Sequence, residues 1–133
     1  MTIDISDLQR QLCEQLCATT RLERRPDGQL MLAANFEFPD GDGYPIYVSE
    51  ASGGLRLSDK GDTIMRISYK TDIDSFLAGS RGLLVERIVA EENVSWENGE
   101  VYLDTPVDGL AAALFRYGRA ITRIYGLTLH SHA

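Results

Sequence analysis

The sequence predicts an α+β fold in a single domain over residues 1–133: an antiparallel sheet, built from a meander and a later hairpin, packed against amphipathic helices at the two ends. Three observations predict it. Leu30, Leu32, Ala34, Phe36 and Phe38 alternate with Met31, Ala33, Asn35 and Glu37, the period of two that marks a half-buried strand. Asn98-Gly99 stands between two short β-prone runs, and a type I′ hairpin turn needs positive φ at both of its central positions. Leu110, Leu114, Tyr117, Ile121 and Ile124 recur at a 4-3-4-3 spacing, the apolar stripe of a helix.

The elements follow in chain order. Ser6-Asp7-Leu8-Gln9 reads as a capping box, with the Ser6 hydroxyl serving the Gln9 amide. Leu8, Leu12 and Leu16 then form one helical stripe, with Cys13 and Cys17 on the adjoining strip. Thr19 to Arg24 is extended, and Arg25-Pro26-Asp27-Gly28 has the composition of a turn. The alternating strand from Leu30 to Phe38 is broken by Pro39-Asp40-Gly41-Asp42-Gly43, and Pro45 to Glu50 pairs back. Ala51-Ser52-Gly53-Gly54 turns the chain into Leu55-Arg56-Leu57.

After Gly61 the period changes to that of a helix, capped by Asp62 or Ser58, with Ile64 and Ile67 facing inward. Further helical pieces run from Asp74 to Ala78 and through Leu83, Leu84, Arg87 and Ile88, with Gly82 weakening the start of the second. Val94–Trp96 and Val101–Leu103 are the arms of the Asn-Gly hairpin. The last helix takes Thr105 at N-cap, Pro106 at N1 and Asp108 at N3, and Gly126 as its terminating residue.

Composition narrows the function classes. Twenty acids against 13 bases give a net charge of −7, which disfavours nucleic acid as a direct ligand because phosphate contacts need clustered Lys and Arg. The charge is uneven. Six acids lie between Glu37 and Asp62, six more between Glu91 and Asp108 with no base among them, and Arg116, Arg119 and Arg123 follow with no acid after Asp108. No apolar run reaches the roughly 18 residues of a membrane span. The acidic start MTIDISDLQRQL lacks the basic and apolar regions of a signal peptide, so a cytoplasmic protein is expected.

Phe36-x-Phe38, Asp40-Gly41-Asp42, Ile46-Tyr47-Val48 and the run Leu55-Arg56-Leu57-Ser58-Asp59-x-Gly61-Asp62-Thr63 together resemble an uncharacterised bacterial and prophage family, the domain of unknown function 1828. The likeness spans residues 20 to 125 and is most specific from 36 to 63. It implies a small intracellular protein, often encoded on mobile elements. It carries over no reaction and no catalytic residue.

Four constellations are candidates for chemistry. Asp40, Asp42 and Asp59, near Glu50 and Asp62, could hold Mg²⁺ for phosphoester hydrolysis. Turn and cap roles for these acids are preferred, because neighbouring glycines already account for their spacing. Cys13, Cys17, His130 and His132 supply four donors for zinc, although cysteines one helical turn apart on an apolar strip are more often small core fillers. Arg116, Arg119 and Arg123 at i, i+3, i+7 form a basic ridge on the last helix. Trp96 and Tyr102 sit among Glu91, Glu92, Glu97, Glu100 and Asp104, the composition of a protein-contact anchor.

With no nucleophile–base set, no Walker loop, no G-x-S-x-G and no H-E-x-x-H, binding is preferred over catalysis. The expectation is a small acidic interaction module, an accessory protein of a phage or mobile element that binds a host or defence protein. Its contact residues would be Trp96, Glu97, Glu100, Asp104, Arg116, Arg119 and Arg123. No cofactor and no membrane partner are implied, and oligomeric state is left open. The alternative is the metal-dependent hydrolase built on Asp40, Asp42 and Asp59.

Overall fold

The computed structural model describes residues 2–129, so His130 and His132 lie outside the described residues. Six strands form one antiparallel sheet: β1 (Arg21–Arg24), β2 (Leu30–Ala33), β3 (Tyr47–Ala51), β4 (Gly54–Ser58), β5 (Ser95–Glu97) and β6 (Glu100–Thr105). Their order across the sheet is β1-β2-β3-β4-β6-β5. Strands β2–β4 are the predicted three-stranded meander, β1 adds the segment read only as extended to its edge, and β5–β6 is the predicted hairpin, with Asn98 at φ 53° and Gly99 at φ 78°. Five helices complete the α+β fold: α1 (Ile5–Thr19), α2 (Asp62–Lys70), α3 (Ile73–Ala78), α4 (Ser80–Glu92) and α5 (Leu110–Gly126).

The three helices α2–α4 and strand β5 come between β4 and β6 in the chain, yet β4 and β6 are neighbours in the sheet. Strand pleating puts Leu57, Val101 and Leu103 on one face, where they are buried with Ile67, Phe76 and the α5 residues Ala113, Tyr117, Ile121 and Ile124. The 4-3-4-3 stripe of the last helix is thus the centre of the core. Gly82 owes its place to a close approach. A Cβ there would lie 2.0 Å from the Leu77 carbonyl oxygen, where α3 gives way to α4.

Several local expectations are corrected. Asp4, not Ser6, caps α1, its carboxylate accepting from the Asp7 amide at 3.2 Å; the helix starts a residue before Ser6, which therefore falls inside the first turn. The long strand stops at Ala33 because Phe36 and Tyr44 are drawn onto α5: the Phe36 ring fills the space a Gly118 side chain would take, and the Tyr44 and Thr122 hydroxyls meet at 2.6 Å. Phe38, Asp42, Phe36 and Tyr44 then close a small hairpin of their own. Thr105 does not cap the last helix. Its hydroxyl donates to the Pro106 carbonyl, and a 3₁₀ turn over Val107–Gly109 precedes α5. Gly126 remains helical, and the chain passes into a second 3₁₀ turn over Leu127–Leu129.

The largest departure concerns α1. The helix forms as its stripe predicts, but none of its residues is buried. Leu8, Leu12 and Leu16 are half exposed, and Cys13 and Cys17 are exposed free thiols rather than core fillers. The sheet is covered by α5 and the inserted helices instead.

Candidate functional site

The acid cluster resolves into two separate arrangements. Asp40 shapes the tight turn by accepting from the Asp42 amide at 2.9 Å, with Gly41 at φ 93°. The outward carboxylates of Asp40 and Asp42 then converge on Arg66, at 3.3 and 3.1 Å, and Asp62 reaches the same guanidinium at 2.8 Å. Arg66 also stacks over the Phe38 ring, 4.1 Å from its centroid. Burial works to lower the Arg66 pKa, but the hydrogen bonds it donates to Asp62 and Asp42 outweigh it and leave the value raised. The acidic turn is therefore fastened to α2 by one cation. Sequence reasoning missed Arg66, although its signal was present: Asp62 and Arg66 stand at i, i+4 on a helix.

Asp59 is apart from these acids and nearly fully buried. One carboxylate oxygen accepts from the amides of Gly61 (2.9 Å) and Val101 (3.0 Å), the other from the amide of Thr63 (3.1 Å). Asp59, rather than Asp62 or Ser58, thus satisfies the first turn of α2. Lys60 and Gly61, at φ 50° and 87°, make the sharp bend that lets it do so. Ser58 accepts from the Lys60 amide and donates to Glu100. Beneath the knot the Tyr117 hydroxyl donates to the Val101 carbonyl at 3.3 Å, and burial pushes its phenol well above the usual tyrosine range. Asp40 and Asp42 on one side and Asp59 on the other do not converge. Among the described residues no three His, Cys, Asp or Glu side chains come together as a metal-holding group.

The basic ridge of α5 is largely neutralised. Arg119 meets Glu92 at 3.1 Å, and Arg123 spans Glu92 at 3.0 Å and Glu91 at 2.5 Å. Desolvation works to raise the Glu92 carboxyl, and Arg123 with Arg119 outweighs it, leaving the group below its ordinary range. The absence of acids after Asp108 thus misled: the counter-charges come from α4, packed alongside. Arg116 is half-buried, and its Nε is an orphaned buried donor.

The acids of the hairpin lie on the sheet face opposite the core. Cross-strand pairing places Arg56 beside Asp104 and Ser58 beside Tyr102. Arg56 forms a two-pronged pair with Asp104, at 2.7 and 3.0 Å, and lies 4.1 Å over the Tyr102 ring. That hydrogen bonding holds the Asp104 carboxyl below the usual range and raises Arg56. The Tyr102 hydroxyl donates to Glu97 at 2.8 Å. Trp96 points the other way, half-buried against the core, so it is not part of this face. On the same outer face Lys60 sits over the Tyr47 ring at 5.3 Å. Nearby is a hollow of about 410 Å³, lined by Arg24, Gln29, Tyr47, Glu50 and Lys60 among others. Of the predicted contact residues, Glu97, Glu100 and Asp104 share this surface, while Arg119 and Arg123 belong to the α4–α5 seam.

No curated protein and no solved structure matches the chain. A family model does, over residues 34–124, from directly after β2 to two residues before the end of α5. Its match contains both the Arg66 clamp and the Asp59 knot, and the chain belongs to the family described as domain of unknown function DUF1828.

Proposed function

We propose that the chain is a non-catalytic protein-binding module whose contact surface is the helix-free face of the sheet, centred on Arg56, Tyr102, Glu97 and Asp104. One observation carries this reading: a tyrosine and an arginine are stacked on each other and held by flanking carboxylates on the sheet face opposite the core. Tyr and Arg dominate interface hot spots, and fixed side chains lose little entropy on binding. The surrounding acids favour a basic partner surface. Within this proposal the partner is a host or defence protein and the chain an accessory of a phage or mobile element, as the family resemblance suggests. The acids proposed for metal-dependent hydrolysis are engaged elsewhere, Asp40 and Asp42 with Arg66 and Asp59 with three amides.

The test is affinity capture from host lysate with the wild-type protein and with Tyr102→Ala/Asp104→Asn. Both must first show the same far-ultraviolet circular dichroism. A stoichiometric partner held by the wild type and released by the variant is the expected outcome. Capture indifferent to both substitutions removes this face as the site. Raised melting temperature in Mg²⁺ or Mn²⁺, with turnover of a phosphodiester, would replace the module with the hydrolase.

A further inference from the structure

We propose that α1 is a self-association element, and that two copies of the chain pair through it about a two-fold axis. The apolar stripe Ile5, Leu8, Leu12 and Leu16 is uncovered, each side chain half or more exposed. Its last residue, Leu16, also lines an open groove of about 540 Å³ with Leu22, Leu32, Leu110, Leu114 and Phe115. The same copy thus presents a projecting apolar helix and, continuous with it, an apolar recess beside the edge strand β1. An isologous contact needs one self-complementary patch of this kind.

Apolar exposure and charge both point to a second copy as the occupant. Ile5, Leu8, Leu12, Leu16, Leu22 and Phe115, each half or more exposed, make up the apolar surface that each copy brings to such a contact. The charges run in opposite senses along the element. Asp4, Asp7 and Arg10 leave the start of α1 net acidic, with Asp7 paired to Arg10, whereas Arg21, Glu23, Arg24 and Arg25 leave the segment after its end net basic, with Arg21 paired to Glu23. In an antiparallel pair the acidic, amide-rich start of each helix lies against the basic, carbonyl-rich end of the other, which favours both charge and dipole. Parallel pairing would bring like charges together.

Light scattering coupled to size exclusion, on the full chain over a range of micromolar concentrations, tests this directly. The wild type is expected at twice the chain mass, and Leu12→Glu and Leu22→Glu each at the chain mass. Because Leu12 is not buried, Leu12→Glu is also expected to keep a cooperative unfolding transition by circular dichroism. A wild type that stays monomeric throughout overturns the proposal and leaves the stripe to a partner of different sequence. So does a dimer that survives Leu12→Glu, which places the interface elsewhere. A Leu12→Glu chain that fails to fold overturns it as well, since α1 would then be packed within its own copy.

Discussion

Asp59 and Val101 are joined twice. The Asp59 amide donates to the Val101 carbonyl at 3.1 Å, and the Asp59 carboxylate accepts from the Val101 amide at 3.0 Å. The same carboxylate holds Gly61 and Thr63, so one side chain ends β4, starts α2 and anchors β6. The most recognisable stretch of the sequence is a structural joint.

Replacing Asp59 with Ala orphans three amide donors, those of Thr63 and Val101 in buried surroundings and that of Gly61 half-buried. A charge-assisted hydrogen bond contributes about 1.5–3 kcal/mol and a lost cap about 1 kcal/mol. The Asp59→Ala protein is expected to lose about 3 kcal/mol or more of unfolding free energy in urea titration. A loss below about 1 kcal/mol would mean that water serves these amides as well as the carboxylate does.

Gly82→Ala should destabilise, against the trend for a helical glycine. Alanine gains about 1 kcal/mol in helix propensity. Its Cβ, however, would meet the Leu77 carbonyl oxygen at 2.0 Å and carbon at 2.7 Å, backbone atoms that can yield only if α3 and α4 part. Such overpacking costs about 1–3 kcal/mol, and a melting temperature lowered by a few degrees is expected. An unchanged or raised melting temperature would show that the α3–α4 corner gives way freely.

Acid should weaken the α4–α5 seam. Glu92 titrates lower in the folded chain than in the unfolded one, where a glutamate sits near 4.3. Its contribution is therefore complete above that value and disappears as pH falls through the lower folded one. Glu92→Gln is expected to be less stable than wild type at pH 7, with the gap closing below about pH 4. Asp104, also held low, is common to both proteins and cancels from the difference. A gap that does not depend on pH would mean that Arg119 and Arg123 contribute through packing alone.

Local patterns were good guides where neighbouring residues decide the outcome. Asn98-Gly99 specifies its own turn, and Leu114, Tyr117, Ile121 and Ile124 bury as their spacing requires. Two further signals were readable and went unread. Asp62–Arg66 has the spacing of a helical ion pair, and Asp4 is as good a cap as Ser6. The Arg119 and Arg123 partners were not readable in this way, since Glu91 and Glu92 are roughly 30 residues away and meet them only when α4 packs beside α5.

Periodicity, turn chemistry and composition were enough to establish an acidic α+β chain with an antiparallel meander, an Asn-Gly hairpin and a buried final helix. Each of these depends on contacts within a few residues, or on a stripe that must find an apolar surface somewhere. Tertiary packing alone decided which surface each stripe meets. It covered the sheet with α2–α5 and left α1 bare, and it gave Asp59 to three amides and Asp40, Asp42 and Asp62 to Arg66. A stripe states that a face is apolar, and a carboxylate that it needs a donor. Neither names the partner, because the partner is brought into place by the path of the rest of the chain.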